Sequence, residues 1–246
     1  PAVYLDARLA AIASCVPPSC RVADIGTDHG RLAAALLARD ADTQVIATDR
    51  ASAPLARAAK TLARSDAGRF ELRLGAGLSV LRPGEVDTVV LAGMGGTTIC
   101  RLLDDAGEIV RTLARIVVQP QGHWADVRRW IAERRATLVD ELLVEDGGRF
   151  RLVCALEPGG RDSSSWSELD LSFGPRLRVA AGPVWRAWLR GQACALDRAL
   201  ADAIEGGARI ADTARVRARR DAIARELARA DPLAAAASAR RGGATL

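Results

Sequence analysis

Two carboxylates, a histidine and two glycines crowd into one short stretch near the start of the chain, Asp24-Ile25-Gly26-Thr27-Asp28-His29-Gly30. Apart from Asp24 the residues just before it are apolar, and the run Leu32 to Ala38 behind it is apolar at helical spacing. A strand, a glycine turn and a helix start are expected. That arrangement holds nucleotide-type cofactors: Gly26 and Gly30 admit tight backbone and close ligand approach, and a helix N-terminus favours negative charge. A dinucleotide loop has the spacing GxGxxG, whereas the spacing here is DxGxDxG. Two carboxylates would repel a pyrophosphate. They suit a cationic ligand without phosphate, and S-adenosyl-L-methionine is one, with an ammonium, a carboxylate and a positive sulfonium. Asp24 and Asp28 then partner the ammonium and the sulfur region, Gly26 leaves room, and the helix N-terminus takes the carboxylate. His29 belongs to the same clasp, with a general base as its alternative role.

Three further clusters recur at the ends of apolar runs. Asp49, followed by Arg50, lies about 20 residues past the loop, where an acid accepts both ribose hydroxyls of an adenosyl group; capping the helix that follows is its other reading. Gly75-Ala76-Gly77 sits where the adenine would lie. Ala92-Gly93-Met94-Gly95-Gly96 faces the transferred methyl, its glycines letting backbone approach a flat substrate and Met94 packing on a base; a plain glycine turn capped by Thr97 is the alternative. Gln119, with Pro120, completes the pocket and would read the adenine edge. The transfer site is thus Asp28, Gly93 to Gly96 and Gln119. The cofactor contacts are Asp24, Gly26 to Gly30, Asp49, Arg50, Gly75 to Gly77, Ala92 and Gly93. His123, beside Trp124, is either a substrate contact or a helix-start residue.

The elements that must position these residues follow from periodicity. Strands are expected at 21–25, 43–48, 69–74, 86–91 and 115–119, and helices at 29–38, 52–64, 97–105 and 125–135. Alternating strands and helices make a parallel sheet with helices on both faces. Two more strands, 137–145 and 149–157, flank Asp146-Gly147-Gly148, a hairpin turn signal. The fold class is therefore α/β: a Rossmann-like, seven-stranded, mostly parallel sheet that closes with an antiparallel pair. A polar, breaker-rich stretch after Glu157 marks a boundary. It divides the chain into 1–160 and 161–246. Beyond it, 183–205 and 208–230 form a helical hairpin, with Leu189, Leu196, Leu200 and Ile204 on one seam and Ile210, Val216, Ile223 and Leu227 on the other. The tail from Asp231 is expected to fray.

The 246 residues are 49% hydrophobic, enough for one sizeable core and a small second unit. No apolar run approaches the roughly 18 residues of a membrane span, and no signal segment opens the chain. A cytoplasmic protein is expected, most simply a monomer. The five cysteines contain no CxxC pair, so neither a disulfide framework nor a metal site is expected. The net charge of +5 suits a polyanionic partner, although arginine-rich coding explains it as well: Lys60 is the single lysine.

Taken together, these motifs resemble the bacterial tRNA (adenine-22, N1)-methyltransferase family. The matching pieces are "ADIGTDHG" (Ala23 to Gly30), "GAGL" (Gly75 to Leu78), "AGMGG" (Ala92 to Gly96), "VVQPQ" (Val117 to Gln121), "VEDGGRFRLV" (Val144 to Val153) and "SFGP" (Ser172 to Pro175). The resemblance implies a class I methyltransferase domain followed by a coiled-coil-like helical domain that helps grip tRNA. It also implies cofactor contacts at Asp24, Gly26, Asp28, His29, Gly30 and Asp49. Ala76 departs from the family's polar residue inside "GNGL", and the lost hydrogen bond to adenine would cost about 1 kcal/mol. The expected RNA grips are Arg128, Arg129 and Arg135 on one helix and Arg217 and Arg220 on the hairpin; a solvated surface is the alternative for all five. Methylation of another RNA or of a small molecule, and a non-catalytic binding role, are the competing functions.

Overall fold

The computed structural model describes residues 4–160, 165–206 and 210–230. Segments dense in β-branched or alternating apolar residues form β1 (Arg21–Ile25), β2 (Gln44–Asp49), β3 (Phe70–Leu74), β4 (Thr88–Met94), β5 (Arg115–Pro120), β6 (Thr137–Asp146) and β7 (Arg149–Glu157). They pair in the order β3-β2-β1-β4-β5-β7-β6. The first five are mutually parallel, and β7 runs antiparallel to both β5 and β6. Gly147 and Gly148, at φ 56° and 70°, make the two-residue turn between β6 and β7. Two successive positive φ values are what the preferred hairpin turn demands. The chain winds outward from β1 to β3, then returns to β4 on the other side of β1. In open sheets of this kind ligands bind at that switch, beyond the carboxyl ends of the strands.

Helices α1 (Ala7–Cys15), α2 (Arg31–Arg39), α3 (Ser52–Leu62), α4 (Gly96–Asp105), α5 (Gly107–Val110), α6 (Trp124–Glu133) and α7 (Glu168–Phe173) cover the sheet or flank it. On one face α1 and α2 bury Leu9, Ile12, Leu36 and Leu37 against Val22, Val45, Val90, Val117, Val153 and Ala155. On α4 and α6, which pack together, Ile99, Leu103, Val127 and Ile131 are buried. The periodicity did not announce α1. It is short and alanine-rich, and it is held by Asp6, whose carboxylate caps it by accepting from Leu9 N at 2.8 Å. Nor did periodicity announce α5 or α7. Helix α2 begins at Arg31, two residues later than expected, because Gly30 is its left-handed N-cap at φ 67°.

Contacts divide the chain into two compact units, Pro1–Gly174 and Pro175–Leu246. The sequence puts the break at 160/161, and Arg161 to Ser164 of that stretch lie outside the described residues. Helix α7 falls in the first unit: Ser167 and Asp170 form its capping box, and it packs on α6 with Leu171 and Phe173 buried.

The second unit contains α8 (Pro175–Ala180), α9 (Pro183–Glu205) and α10 (Ile210–Ala230). Helices α9 and α10 run antiparallel: Arg186 donates to Ala230 O near one end and Arg220 pairs with Asp197 further along. Trp185, Leu189 and Ala193 on α9 and Ile223 on α10 are buried. Leu196, Leu200, Val216 and Leu227 are half-buried. Ile204 is the exception in the expected seam, 55% exposed in the last turn of α9. Gly207, the Ile210 side chain and the tail from Asp231 lie outside the described residues. No helix among the described residues is long and apolar enough to cross a membrane.

Candidate active site

The turn after β1 is pinned to β2, since Gly26 N and Thr27 N both donate to Thr48 O, at 2.9 and 2.8 Å. Gly26, Asp28 and Gly30 all have positive φ, so the turn is built from left-handed residues that favour glycine. Gly30 is crowded as well as left-handed, since a Cβ there would lie 3.1 Å from Ala58 of α3. Asp24, the last acid before the turn, is 4% exposed and receives the Thr27 hydroxyl at 2.7 Å. It has no ion pair among the described residues. Burial pushes its pKa up to about 6, against the opposing effects of the Thr27 hydrogen bond and the Arg8 charge. Asp28 is exposed and already engaged by Arg57 at 2.9 Å, with His29 at 3.6 Å.

Asp49 ends β2 half-buried. One carboxylate oxygen accepts from Ala51 N at 3.0 Å, and its carbonyl accepts from Gly75 N at 2.9 Å. The cap position of α3 is Ala51, so Asp49 closes a local turn and is not the helix cap. Gly75 and Gly77 have no room for side chains, with Val80 and Leu102 in the way. Arg50 and Ala76 are exposed.

The end of β4 is built from distant partners. Its register with β5 shifts between Ala92 and Met94, at Gly93, whose φ is 75°. Gly93 N donates to Gln119 Oε1 at 3.2 Å, Gln121 N donates to Met94 O at 2.8 Å, and Gly96 N donates to Gly122 O at 3.2 Å. A Cβ on Gly96 would stand 2.7 Å from the carbonyl oxygens of both Gly122 and His123. The Met94 methyl in turn reaches back to the first turn, 2.9 Å from where a Gly26 Cβ would be.

These elements enclose a cleft of about 490 Å³ that brings together Asp24, Gly26 to His29, Ala92, Gly93 and Gln119. Asp49, Arg50, Gly75 to Gly77 and Met94 to Gly96 are not part of its lining. Residues that the sequence did not single out complete it: Asp6, Arg8 and Leu9 from α1, Arg31 and Leu32 from α2, Gln121, and Asp146 and Arg151 from the hairpin. An Asp three residues before an apolar position is a helix-cap signal that could have exposed α1. Nothing local marks Arg151. Among the described residues no cluster of three or more metal-ligating side chains forms.

Gln119 and Arg128 depart from expectation. Gln119 was expected to read an adenine edge, but it is fully buried, and its amide is spent on Gly93 N, on Arg8 at 3.4 Å and on Pro120 O at 3.0 Å. It shapes the β4 end instead, while the neighbouring exposed residue is Gln121. Arg128 was expected to grip phosphate, but its side chain is wholly inaccessible, paired with Glu141 at 2.7 Å and donating to Leu171 O at 3.0 Å. For His123 the helix-start reading holds: it is the left-handed N-cap of α6 and pairs with Asp126 at 3.3 Å. The other arginines stay near solvent. Arg129 and Arg135 are exposed, Arg217 is exposed with a bond to Thr213, and Arg220 is half-exposed and paired with Asp197.

Residues 5–153 match the family described as "Methyltransferase domain". Over 171 residues the chain is 30% identical to the tRNA (adenine(22)-N(1))-methyltransferase of Bacillus subtilis (strain 168), covering 69% of this chain and 71% of that protein. Among solved structures, Sp1610 of Streptococcus pneumoniae in complex with S-adenosyl-L-methionine superposes with a TM-score of 0.82 at 26% identity, covering 91% of this chain and 100% of that one. The fold is also that of the B. subtilis M1A22 tRNA methyltransferase TrmK, with a TM-score of 0.78 at 24% identity over 92% of this chain and 99% of that one.

Proposed function

The chain belongs to the methyltransferase-domain family and, within it, to the tRNA (adenine(22)-N(1))-methyltransferase family, and from that premise we propose that it transfers a methyl group from S-adenosyl-L-methionine to N1 of adenine 22 in tRNA, in the cytoplasm. The observation that carries the reading is Asp24. A buried carboxylate with a raised pKa and no ion-pair partner among the described residues is a costly arrangement in the free protein. An ammonium beside it removes that cost.

The remaining residues fit the same ligand. Glycines at 26 and 93 bring backbone to the cleft wall, and Asp49 keeps one carboxylate oxygen free of any hydrogen bond among the described residues for ribose hydroxyls. When bound, S-adenosyl-L-methionine would supply an electrophilic methyl group, its transfer to the base leaving a neutral thioether. Adenine N1 is an unprotonated lone pair at neutral pH, so the protein's task is to position the base and not to deprotonate it. Because N1 lies on the pairing edge, the base must be unpaired or flipped to enter. Gln119 holds Gly93 where the base would meet it. Exposed Arg129, Arg135 and Arg217, with half-exposed Arg220, supply charge for the RNA backbone.

The test is methylation of transcribed tRNA by the purified protein, with nucleosides read by mass spectrometry. We expect 1-methyladenosine in tRNA carrying A22 and none when that base is replaced. Equal product from both transcripts, or none from either, would reject the proposal.

A further inference from the structure

Four arginines serve the cleft or its rim, and two of them are consumed. Arg31 pairs with Asp6 at 3.3 Å and donates to Tyr4 O at 3.1 Å, and Arg57 pairs with Asp28 at 2.9 Å. The other two remain. Arg8, on α1, makes a single hydrogen bond of 3.4 Å, to Gln119. Arg151, on β7, makes no hydrogen bond or ion pair among the described residues, and its Nε is buried without a partner. Both line the cleft. A guanidinium can offer five donors in a planar fork that matches an oxyanion, and leaving a buried donor unpaired is costly. Two underused guanidinium groups on one cleft wall call for an anion.

Position selects the anion. Arg151 precedes Val153 and Ala155 on β7 at strand alternation, and those two pack in the core with α1 residues Leu9 and Ile12. Arg151 therefore sits at the α1 edge of the cleft. In the sheet, β7 is three strands from β1, which carries Asp24, and three strand spacings are roughly 14 Å. The amino-acid end of the cofactor is anchored at β1, so β7 stands beyond it, past β4 and β5, where the base must enter. Asp146 lines the same end, two residues along β6 from Val144, the pairing partner of Arg151. An acceptor next to two donor forks suits a ribose hydroxyl beside a phosphate, which is the RNA backbone.

We propose that Arg8 and Arg151 form a seat for a backbone phosphodiester of the substrate RNA beside the target base, a seat distinct from the exposed arginines of α6 and α10. The inference rests on the methyltransferase reading and places the substrate within it. Bound here, the phosphate holds the flipped nucleotide by its backbone while Gly93 and Gln119 shape the base pocket.

The test combines protein and RNA changes on the full chain. Arg151→Gln should weaken tRNA binding about tenfold and lower the salt-dependence slope by about one. Its affinity for S-adenosyl-L-methionine, measured by calorimetry, should stay within twofold. With the unaltered protein, tRNA assembled from synthetic halves with one neutral methylphosphonate flanking A22 should lose binding by a similar factor. Arg151→Gln should no longer distinguish the neutral linkage from the charged one. The methylphosphonate arm decides the matter even if the variant fails to fold. Unchanged tRNA affinity and salt slope in a folded variant, or indifference to neutral linkages on both sides of A22, would overturn the seat. So would a tenfold loss of cofactor affinity with tRNA binding intact, which would assign the arginines to the cofactor carboxylate. If the unaltered protein transfers no methyl group at all, the functional reading fails, visibly and in a separate assay, and the seat falls with it.

Discussion

The two sides of the cleft are built by different means. On the β1 side the turn is shaped by short-range contacts, Thr27 to Asp24 and Gly30 N to Thr27 O, and is pinned to the adjacent strand at Thr48. On the β4–β5 side they are long-range: Gly93 to Gln119 across 26 residues, Gly96 to Gly122, and Arg8 to Gln119 across 111. The β1 turn takes its shape from its own residues and needs only β2 and α3 beside it, whereas the β4–β5 side exists only once α1, β4, β5 and the hairpin have met. Damage to the first should be felt in cofactor affinity, and damage to the second in folding or in turnover.

The largest effect tests the β1 side. Asp24→Asn should lower S-adenosyl-L-methionine affinity by about 100-fold or more, since it removes one partner of a buried charge pair, as read by calorimetry. The same change should raise the melting temperature of the unliganded protein at pH 8. The folded pKa of Asp24, about 6, lies above its ordinary value of 3.8. Whatever stability this shift provides is full below 3.8 and is lost as pH rises through 6. Above that the buried charge costs about 1–3 kcal/mol, which asparagine relieves. For the unaltered protein, cofactor affinity should fall about tenfold between pH 7 and pH 5 as the carboxylate takes up a proton. A lower melting temperature for the variant, or flat affinity over that pH range, would show that Asp24 is not the ammonium site.

Gly96→Ala should bring the next largest effect, now on stability. Its Cβ would meet two carbonyl oxygens at 2.7 Å, and overpacking of this kind costs about 1–3 kcal/mol, measurable by urea unfolding. At Gly26 the nearest obstacle is the mobile end of Met94, so the strain of Gly26→Ala should come mainly from its φ of +77°. Equal losses at the two sites would erase the contrast between the two sides.

Gln119→Leu should reduce kcat about tenfold while leaving cofactor affinity within twofold, because it frees Gly93 N from its buried partner. A parallel loss of cofactor affinity would mean that the two sides are not separable. The smallest expected effect is a gain. If Ala76 faces the adenine, Ala76→Asn should add a side-chain hydrogen bond there and tighten cofactor binding about fivefold, or ~1 kcal/mol. No gain would show that backbone groups already suffice there.

The sheet was legible because its strands advertise themselves. β1 and β7 occupy the residues that β-branched density and alternation mark out, and Gly147-Gly148 turns where two positive φ values are needed. The first turn was legible for the same reason, since its glycines and acids act on neighbours a few residues away. Arg128 was misread because charge alone suggests the surface. On α6 it lies on the side of Ile131, three residues on and buried, and the carboxylate that makes its burial tolerable, Glu141, comes from β6. Once paired there it cannot be removed lightly, for an orphaned buried charge costs about 3–5 kcal/mol. Gln119 was misread likewise: its polarity was visible, but the inward partners that absorb it were not.

What the sequence determined by itself was the local backbone: where chain reverses, which residues must be glycine, and which acids stand at the ends of strands. The positive φ values and the hydrogen bonds to near neighbours are short-range, whereas the Cβ clearances at Gly30 and Gly96 are set by Ala58, Gly122 and His123, distant in the chain. What only the tertiary structure decided was which polar groups lose their water and which find partners. Arg128 and Gln119 became internal supports, Asp24 became a buried carboxylate bonded only to Thr27 among the described residues, and Arg151 was left without a partner among them. Burial and pairing arise only when segments distant in the chain pack together, so no local pattern could encode them.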